Sequence, residues 1–418
     1  MNAAPTVTPR SVGVAALAVW GVLLLLPVGR LSELPLLVLL VLGIVALARG
    51  GWRDPRLRLG LALFACWWLP VLASLVDAHE LERSLRTALA ELRFLPFVAA
   101  VVLLLAPRAD LIERLMRWSG FVVALWVLDA LAQAAFGVSL GGLAGSDRLS
   151  GVFGDDNLKL GPVLAVLSPF VLALAHARYG LAGFALAALA VAAAVALAGS
   201  RAAWVVLVVV YAVWAWRLTR SLWRFAAVVA AGIGVIALIG TLLYQADERF
   251  AARVDRTAAG VSFDRAALDH ALAGRVPIWE TSARMIAAHP VNGVGVRGFR
   301  HAYPEYAAPG DRWVRPETGT GALHPHQLVL EVLAETGLLG LVGWIIGIVL
   351  AVAAWRRAGA AARARAAPAG LALVAMCFPL NTHYAFHSSF WALLFWWLLA
   401  LWLAALASGA APRIAEDA

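Results

Sequence analysis

Two histidines and two carboxylates stand at the head of one helical run: His324, His326, Glu331 and Glu335 in HPHQLVLEVLAETGLLGLVG, residues 324–343. Histidine is the side chain whose ordinary pKa lets it exchange a proton near neutrality. An imidazole at His326 can therefore serve as general base toward a hydroxyl arriving beside a membrane. The same residue also reads as an ordinary interfacial polar group, because a well-placed titratable side chain is only probabilistic evidence of function. Pro325 forces a bend between the two rings, which makes His324 a supporting or acceptor-side group. Glu331 and Glu335 stand at i, i+4, and carboxylates at membrane depth are costly alone. One of them is expected to meet an arginine, with Arg201 as candidate. His383 and His387 share the i, i+4 spacing near the last span and are expected to be structural. No Asp-x-Asp pair or His/Asp cluster has metal-ligand spacing, and Asp155-Asp156 lacks partners, so neither metal nor cofactor is expected.

These groups need a frame. No proline interrupts residues 326–355, so one helix of about 43 Å is expected at 1.5 Å per residue. That exceeds the roughly 30 Å hydrocarbon core, so the first two turns should project beyond it and the apolar run starts near Leu338. Gly343 and Gly347 give this run a small-x-x-x-small face for close helix packing. The chain is 62% hydrophobic and 14% charged, with 18 Trp among 418 residues. Composition of that kind predicts an all-α polytopic membrane protein in contact with membrane lipids. Twelve apolar segments are expected as spans: 11–28, 34–48, 59–76, 94–106, 119–136, 160–177, 181–199, 202–218, 225–243, 328–354, 370–386 and 389–407. Gly199-Ser200-Arg201 divides a run too long for one span, which puts Arg201 at a hairpin tip.

Arginine placement orients the frame. The connections that would be cytoplasmic hold seventeen basic residues and the opposite short loops seven, which predicts both termini inside. The connection at 77–93 mixes Arg with Glu and is the least regular of these. The expected organisation is nine spans in 1–243, a largely helical periplasmic lobe at 244–325, and three spans with a tail in 326–418. Residues 244–323 contain ten arginines, no lysine and nine acidic residues, and surface ion pairs would account for most of these charges. Within the lobe, a short helix is expected from Trp279 to Ala288, ended by Pro-Val-Asn-Gly-Val-Gly. The net charge of +9 does not point to nucleic acid, since the arginines lie between apolar spans rather than on one soluble face. Cys66 and Cys377 both fall in apolar runs, so no disulfide framework is expected, and the N-terminal apolar run reads as an uncleaved first span.

The order His326-Gln327, Leu330, Glu335, Gly337, Gly340 resembles the signature of the O-antigen ligase and polymerase superfamily of bacterial membrane glycosyltransferases. Further upstream, Arg275-x-x-x-Trp279, His289-Pro290 and Gly293-Val294-Gly295 follow the same family order. Ser200-Arg201 and Arg148-x-x-Gly151-x-Phe153-x-x-x-Asn157 fit it too, while Lys159 is a substitution the pattern does not place. The resemblance covers roughly residues 148–345. It implies a polyprenyl-linked donor, undecaprenyl diphosphate carrying a glycan, whose diphosphate Arg201 and Arg275 would hold. It implies His326 as general base on the acceptor, with Asn157, Arg300, Glu335 and His324 in support and no metal. Such a transfer onto lipid A–core oligosaccharide would be an inverting O-antigen ligase reaction in the bacterial inner membrane. A polymerase or a protein O-oligosaccharyltransferase would share the donor chemistry. A twelve-span transporter is the other class, with Asp129 as the one mid-span acid that favours it.

Overall fold

Apolar sequence this continuous leaves backbone polar groups no partner but each other, and the chain resolves into helices almost throughout. The computed structural model describes residues 8–143, 148–154, 157–246, 248, 251–252, 254–255, 265–382 and 384–408. Its helices are α1 Pro9–Leu24, α2 Glu33–Ala48, α3 Arg58–Ala73, α4 Leu81–Glu91, α5 Phe94–Leu105, α6 Ala109–Phe136, α7 Leu160–Leu197, α8 Arg201–Thr219 and α9 Leu222–Ala246. They continue as α10 Arg265–Ala271, α11 Val276–Ala288, α12 Phe299–Tyr306, α13 Leu328–Arg357, α14 Ala360–Met376 and α15 Ser389–Ala407. Among the described residues, nine helices are long and apolar enough to cross a membrane, so the chain is an all-α polytopic membrane protein. Each of the twelve apolar segments contains helix, although the one at 370–386 is helical only as far as Met376. Two of them share α7, which turns at Gly180 where φ is 64° and ψ −150°. The connection at 77–93, where Arg and Glu mix, is mostly helix, as α4.

α5 and α15 lie at the centre of the bundle, with Phe97, Val98, Trp396 and Leu398 fully buried. Close approach of neighbours depends on glycine. A Cβ at Gly43 would lie 1.8 Å from the Pro96 carbonyl oxygen, which seats α2 against α5. The Gly343/Gly347 face of α13 meets Cys66 of α3 in the same manner, as its spacing predicts. The lobe has a smaller core of its own, in which Ile278, Met285, Phe299 and Tyr303 pack with Ala334 of α13.

The expected uninterrupted helix through residues 326–355 does not form. It begins at Leu328 and breaks at Gly337, where φ is 63° and ψ −160°. The reason lies 45 residues upstream in sequence, in the turn at 290–295. Leu338 N–H donates to the Pro290 carbonyl at 2.8 Å and Leu339 N–H to the Val291 carbonyl at 3.1 Å. Val294 N–H donates to the Ala334 carbonyl at 2.9 Å, so the turn supplies partners to both sides of the break. Backbones meet here: a Cβ at Gly337 would lie 2.2 Å from the Val291 oxygen, and one at Gly293 2.4 Å from the Glu335 carbonyl carbon. The Glu-x-Gly and Gly-x-Gly motifs are thus two halves of one joint. A Gly337→Ala substitution combines a left-handed backbone with this clash and should cost at least about 2 kcal/mol. Thermal unfolding in detergent checks it, with Gly310→Ala as control: φ there is +75° but the Cβ meets open space. An apparent melting temperature no lower for Gly337→Ala than for the control would show that the joint is slack.

Candidate active site

Thr382, in the connection between α14 and α15, joins the two groups the sequence puts forward. Its hydroxyl accepts a hydrogen bond from Arg275 Nη1 at 2.7 Å. Its carbonyl lies 3.1 Å from His326 Nδ1. A carbonyl can only accept, so Nδ1 carries the proton and Nε2 keeps its lone pair, the form a general base requires. His326 itself has φ of +55°, in the left-handed region that costs a side-chain-bearing residue about 1–3 kcal/mol. Contacts on three sides hold it there. His326 N–H donates to His324 Nδ1 at 3.3 Å, and the two rings pack with centroids 3.9 Å apart. Trp279 Nε1 donates to the Pro325 carbonyl at 3.0 Å, so the Arg-x-x-x-Trp segment fixes the bend between the histidines.

The electrostatics favour an anion beside a neutral base. Burial, then the charge of Arg201, brings Arg275 down to about 10, still protonated at neutral pH. Among the described residues Arg275 makes no ion pair; its partner is the Thr382 hydroxyl. Arg201 begins α8 directly after Ser200, whose Oγ accepts from Ala203 N–H at 3.4 Å and caps the helix. Gly199, with φ of +70°, makes the turn before it. Burial first, and then Arg275, lowers His326 to about 4, while its bond to Thr382 opposes this. Arg275 therefore feels the charge of Arg201 and in turn acts on an unprotonated imidazole.

The remaining candidates divide. Asn157 works on its own loop: its Nδ2 donates to the Phe153 carbonyl at 3.1 Å and its Oδ1 accepts from Lys159 N–H at 3.2 Å. That loop packs beside the Ser200-Arg201 turn, since a Cβ at Gly161 would lie 3.4 Å from Ser200 Cβ. Lys159 lies over the Phe390 ring, 4.5 Å from its centroid. Neither Glu331 nor Glu335 makes an ion pair with Arg201 among the described residues; the arginine whose charge Glu335 meets is Arg300. Glu331 Oε1 accepts from Phe386 N–H at 2.8 Å and Glu335 Oε2 from Arg297 N–H at 2.9 Å. Backbone amides freed by the turns around α13 reach these acids first. Glu331 Oε2 lies 3.9 Å from His324 Nδ1, behind the pair of histidines. Arg300 belongs elsewhere: burial, then Arg297 and Arg83, lowers its pKa, and its attractive neighbour is Glu335.

One further expectation changes. Residues 378–382 and 384–388 are not helical, so His387 stands on no helix, and His383 lies outside the described residues. His387 instead sits 2.8 Å from Glu91 Oε1, and Glu91 Oε2 accepts from Trp67 Nε1 at 2.7 Å. Burial opposes the charge on His387, yet the charge and hydrogen bond of Glu91 raise its pKa above the ordinary value. Asp129, two turns before the end of α6, accepts from Leu140 N–H with Oδ1 at 2.7 Å and holds the following loop. Thr382 is the residue that sequence reasoning missed; the polar pair Asn381-Thr382, inside the apolar segment 370–386, was the signal for it.

No curated protein matches the chain. Residues 186–345, a span that includes Arg201, Arg275, His324, His326 and Glu335, match the family model described as O-Antigen ligase.

Proposed function

We propose that this chain is an inverting, metal-independent glycosyltransferase that moves O-antigen polysaccharide from undecaprenyl diphosphate to lipid A–core oligosaccharide. The observation that carries the reading is the double hold of Thr382, which sets a guanidinium and an oriented imidazole side by side. In this reading Arg201 and Arg275 bind the donor diphosphate. The acceptor hydroxyl lies at His326 Nε2 and attacks the anomeric carbon from the face opposite the diphosphate. As the new glycosidic C–O bond forms, the bond from the anomeric carbon to the diphosphate oxygen breaks. The hydroxyl proton passes to Nε2, and the charge left on undecaprenyl diphosphate meets the two guanidiniums. The twelve helical segments would then be crossings of the bacterial inner membrane with both termini cytoplasmic, which puts this end of the bundle on the periplasmic face.

The test is reconstitution. Purified protein, undecaprenyl-diphosphate-linked glycan and lipid A–core are combined with EDTA, and the product is separated on a gel. Glycan joined to lipid A–core is the expected product, in the amount formed without chelator. Glycan lengthened on its own carrier would make the chain a polymerase. Dependence on an added divalent ion would overturn the role given to the arginines.

A further inference from the structure

A second polar cleft opens at the same end of the bundle, between α4, the 297–301 segment and the start of α15. It has a volume of about 410 Å³ and is lined by Arg83, Arg86, Arg93, Arg297, His301 and His387, together with acids of α4. That size falls within the roughly 300–1,000 Å³ of small-molecule sites. Several of its charges already have partners. Arg86 pairs with Glu82, and Arg93 Nη2 lies 3.3 Å from Glu33. Glu91, among the acids, is taken up by His387 and Trp67. What is left over is cationic. Arg83 Nε and Arg93 Nε are buried nitrogens that make no hydrogen bond, and so is Nε2 of His301, a ring that burial keeps neutral and whose Nδ1 lies 3.9 Å from Glu80. Buried polar groups are nearly always satisfied, and two guanidinium N–H groups can only donate, so they require an acceptor. Arg297, Arg300 and Arg315 add positive charge on the same side.

The position of α4 says which kind of anion. Leu81, Leu85 and Leu89 recur at i, i+4 and i+8 and are exposed at 55%, 43% and 58%, a stripe that suits the lipid surface. Arg83 and Thr87 leave the helix on another face and line the cleft. An amphipathic helix held by such leucines lies at the depth of lipid headgroups, and basic pockets there bind phosphorylated headgroups. The cleft also borders the catalytic groups without sharing them. His387 lies in its wall and Arg297 N–H bonds Glu335, one helical turn from Glu331, which backs His324.

We propose that this cleft binds a phosphate group on the headgroup of a membrane lipid, through Arg83 and Arg93, and so seats the acceptor lipid beside His326. The acceptor role rests on the transferase reading; the headgroup site does not. Binding to the full-length protein in detergent would be measured by titration calorimetry with dioctanoyl phosphatidic acid, dioctanoyl phosphatidylcholine and inorganic phosphate, without donor. Phosphatidic acid should bind best, and Arg83→Gln with Arg93→Gln should weaken it at least tenfold. Arg83→Gln alone leaves the Arg93–Glu33 pair intact and should still weaken it about threefold, a loss of one charge-assisted hydrogen bond in part. Equal binding of phosphatidic acid by wild type and both variants would overturn the site. Inorganic phosphate bound as tightly as the lipid would overturn the headgroup assignment in favour of a free-anion site. In the transfer assay the double variant should raise KM for lipid A–core more than it lowers kcat. A normal acceptor KM beside lost lipid binding would overturn the acceptor role. Should the chain fail to transfer glycan at all, the binding result stands unaffected, so the two failures are distinguishable.

Discussion

Replacement of His326 by alanine should lower glycan transfer by about 10²–10⁴-fold, the usual contribution of a general base, while donor binding stays within a few-fold of wild type. The asymmetry follows from the geometry. Arg275 keeps its bond to the Thr382 hydroxyl when the imidazole is gone, because His326 uses the carbonyl of the same residue. Steady-state rates in the reconstituted assay, with donor affinity measured separately, check both halves. Turnover near wild type would remove His326 from the mechanism. His324→Ala should do less, since that ring accepts from His326 N–H and packs on its face.

The pH profile gives the same assignment a second reading. Burial and Arg275 hold His326 near 4 in the free protein, so it is an unprotonated base throughout the neutral range. The dependence of kcat/KM on pH reports the free protein, and its acid limb should therefore fall toward about 4. A diphosphate between the guanidiniums offsets their charge, which favours the imidazolium. The acid limb of kcat, which reports the complex, should then lie at higher pH than that of kcat/KM. Activity is lost as pH falls in both cases, because the protonated ring cannot accept the hydroxyl proton. Coincident limbs would mean that the bound diphosphate does not face His326.

How much of this was legible before the structure depends on whether a residue acts through composition, local spacing or distant backbone. The helices were legible because apolar runs of span length have few other outcomes, and Gly343/Gly347 because its partner face is a property of the helix alone. The break at Gly337 was not. Nothing within residues 326–355 demands it; the carbonyls of Pro290 and Val291 create it. The partner of Glu331 was not legible for a related reason. An arginine is the natural partner to propose for Glu331, whereas the backbone N–H of Phe386, 55 residues away in sequence, fills that place. His326 was legible as a candidate, yet its tautomer was not. That depends on one carbonyl, at Thr382, and a carbonyl leaves no mark in the sequence.

Arg275→Ala should reduce kcat/KM for the donor by about 10²–10³-fold, the scale seen when one preorganised donor to a developing anion is lost. A guanidinium has five N–H groups, and one of them, on Nη1, goes to Thr382. Four remain for phosphate oxygens, in a fork that can bond two at once. Arg275→Lys keeps a charge but neither the fork nor the planar hold, so it should recover only part of the loss. Arg201→Ala should be comparably severe toward donor, though by a different signature. Arg275 is among the groups that depress His326, whereas the charge of Arg201 acts on Arg275. Removing Arg275 should therefore move the acid limb of kcat/KM upward, whereas removing Arg201 should leave it near its place. The two substitutions are thus separable in one experiment, by pH profile rather than by the size of the defect. Full activity restored by Lys at position 275 would reduce that arginine to a source of positive charge, and the acid limb would still have to move for the contact with His326 to stand.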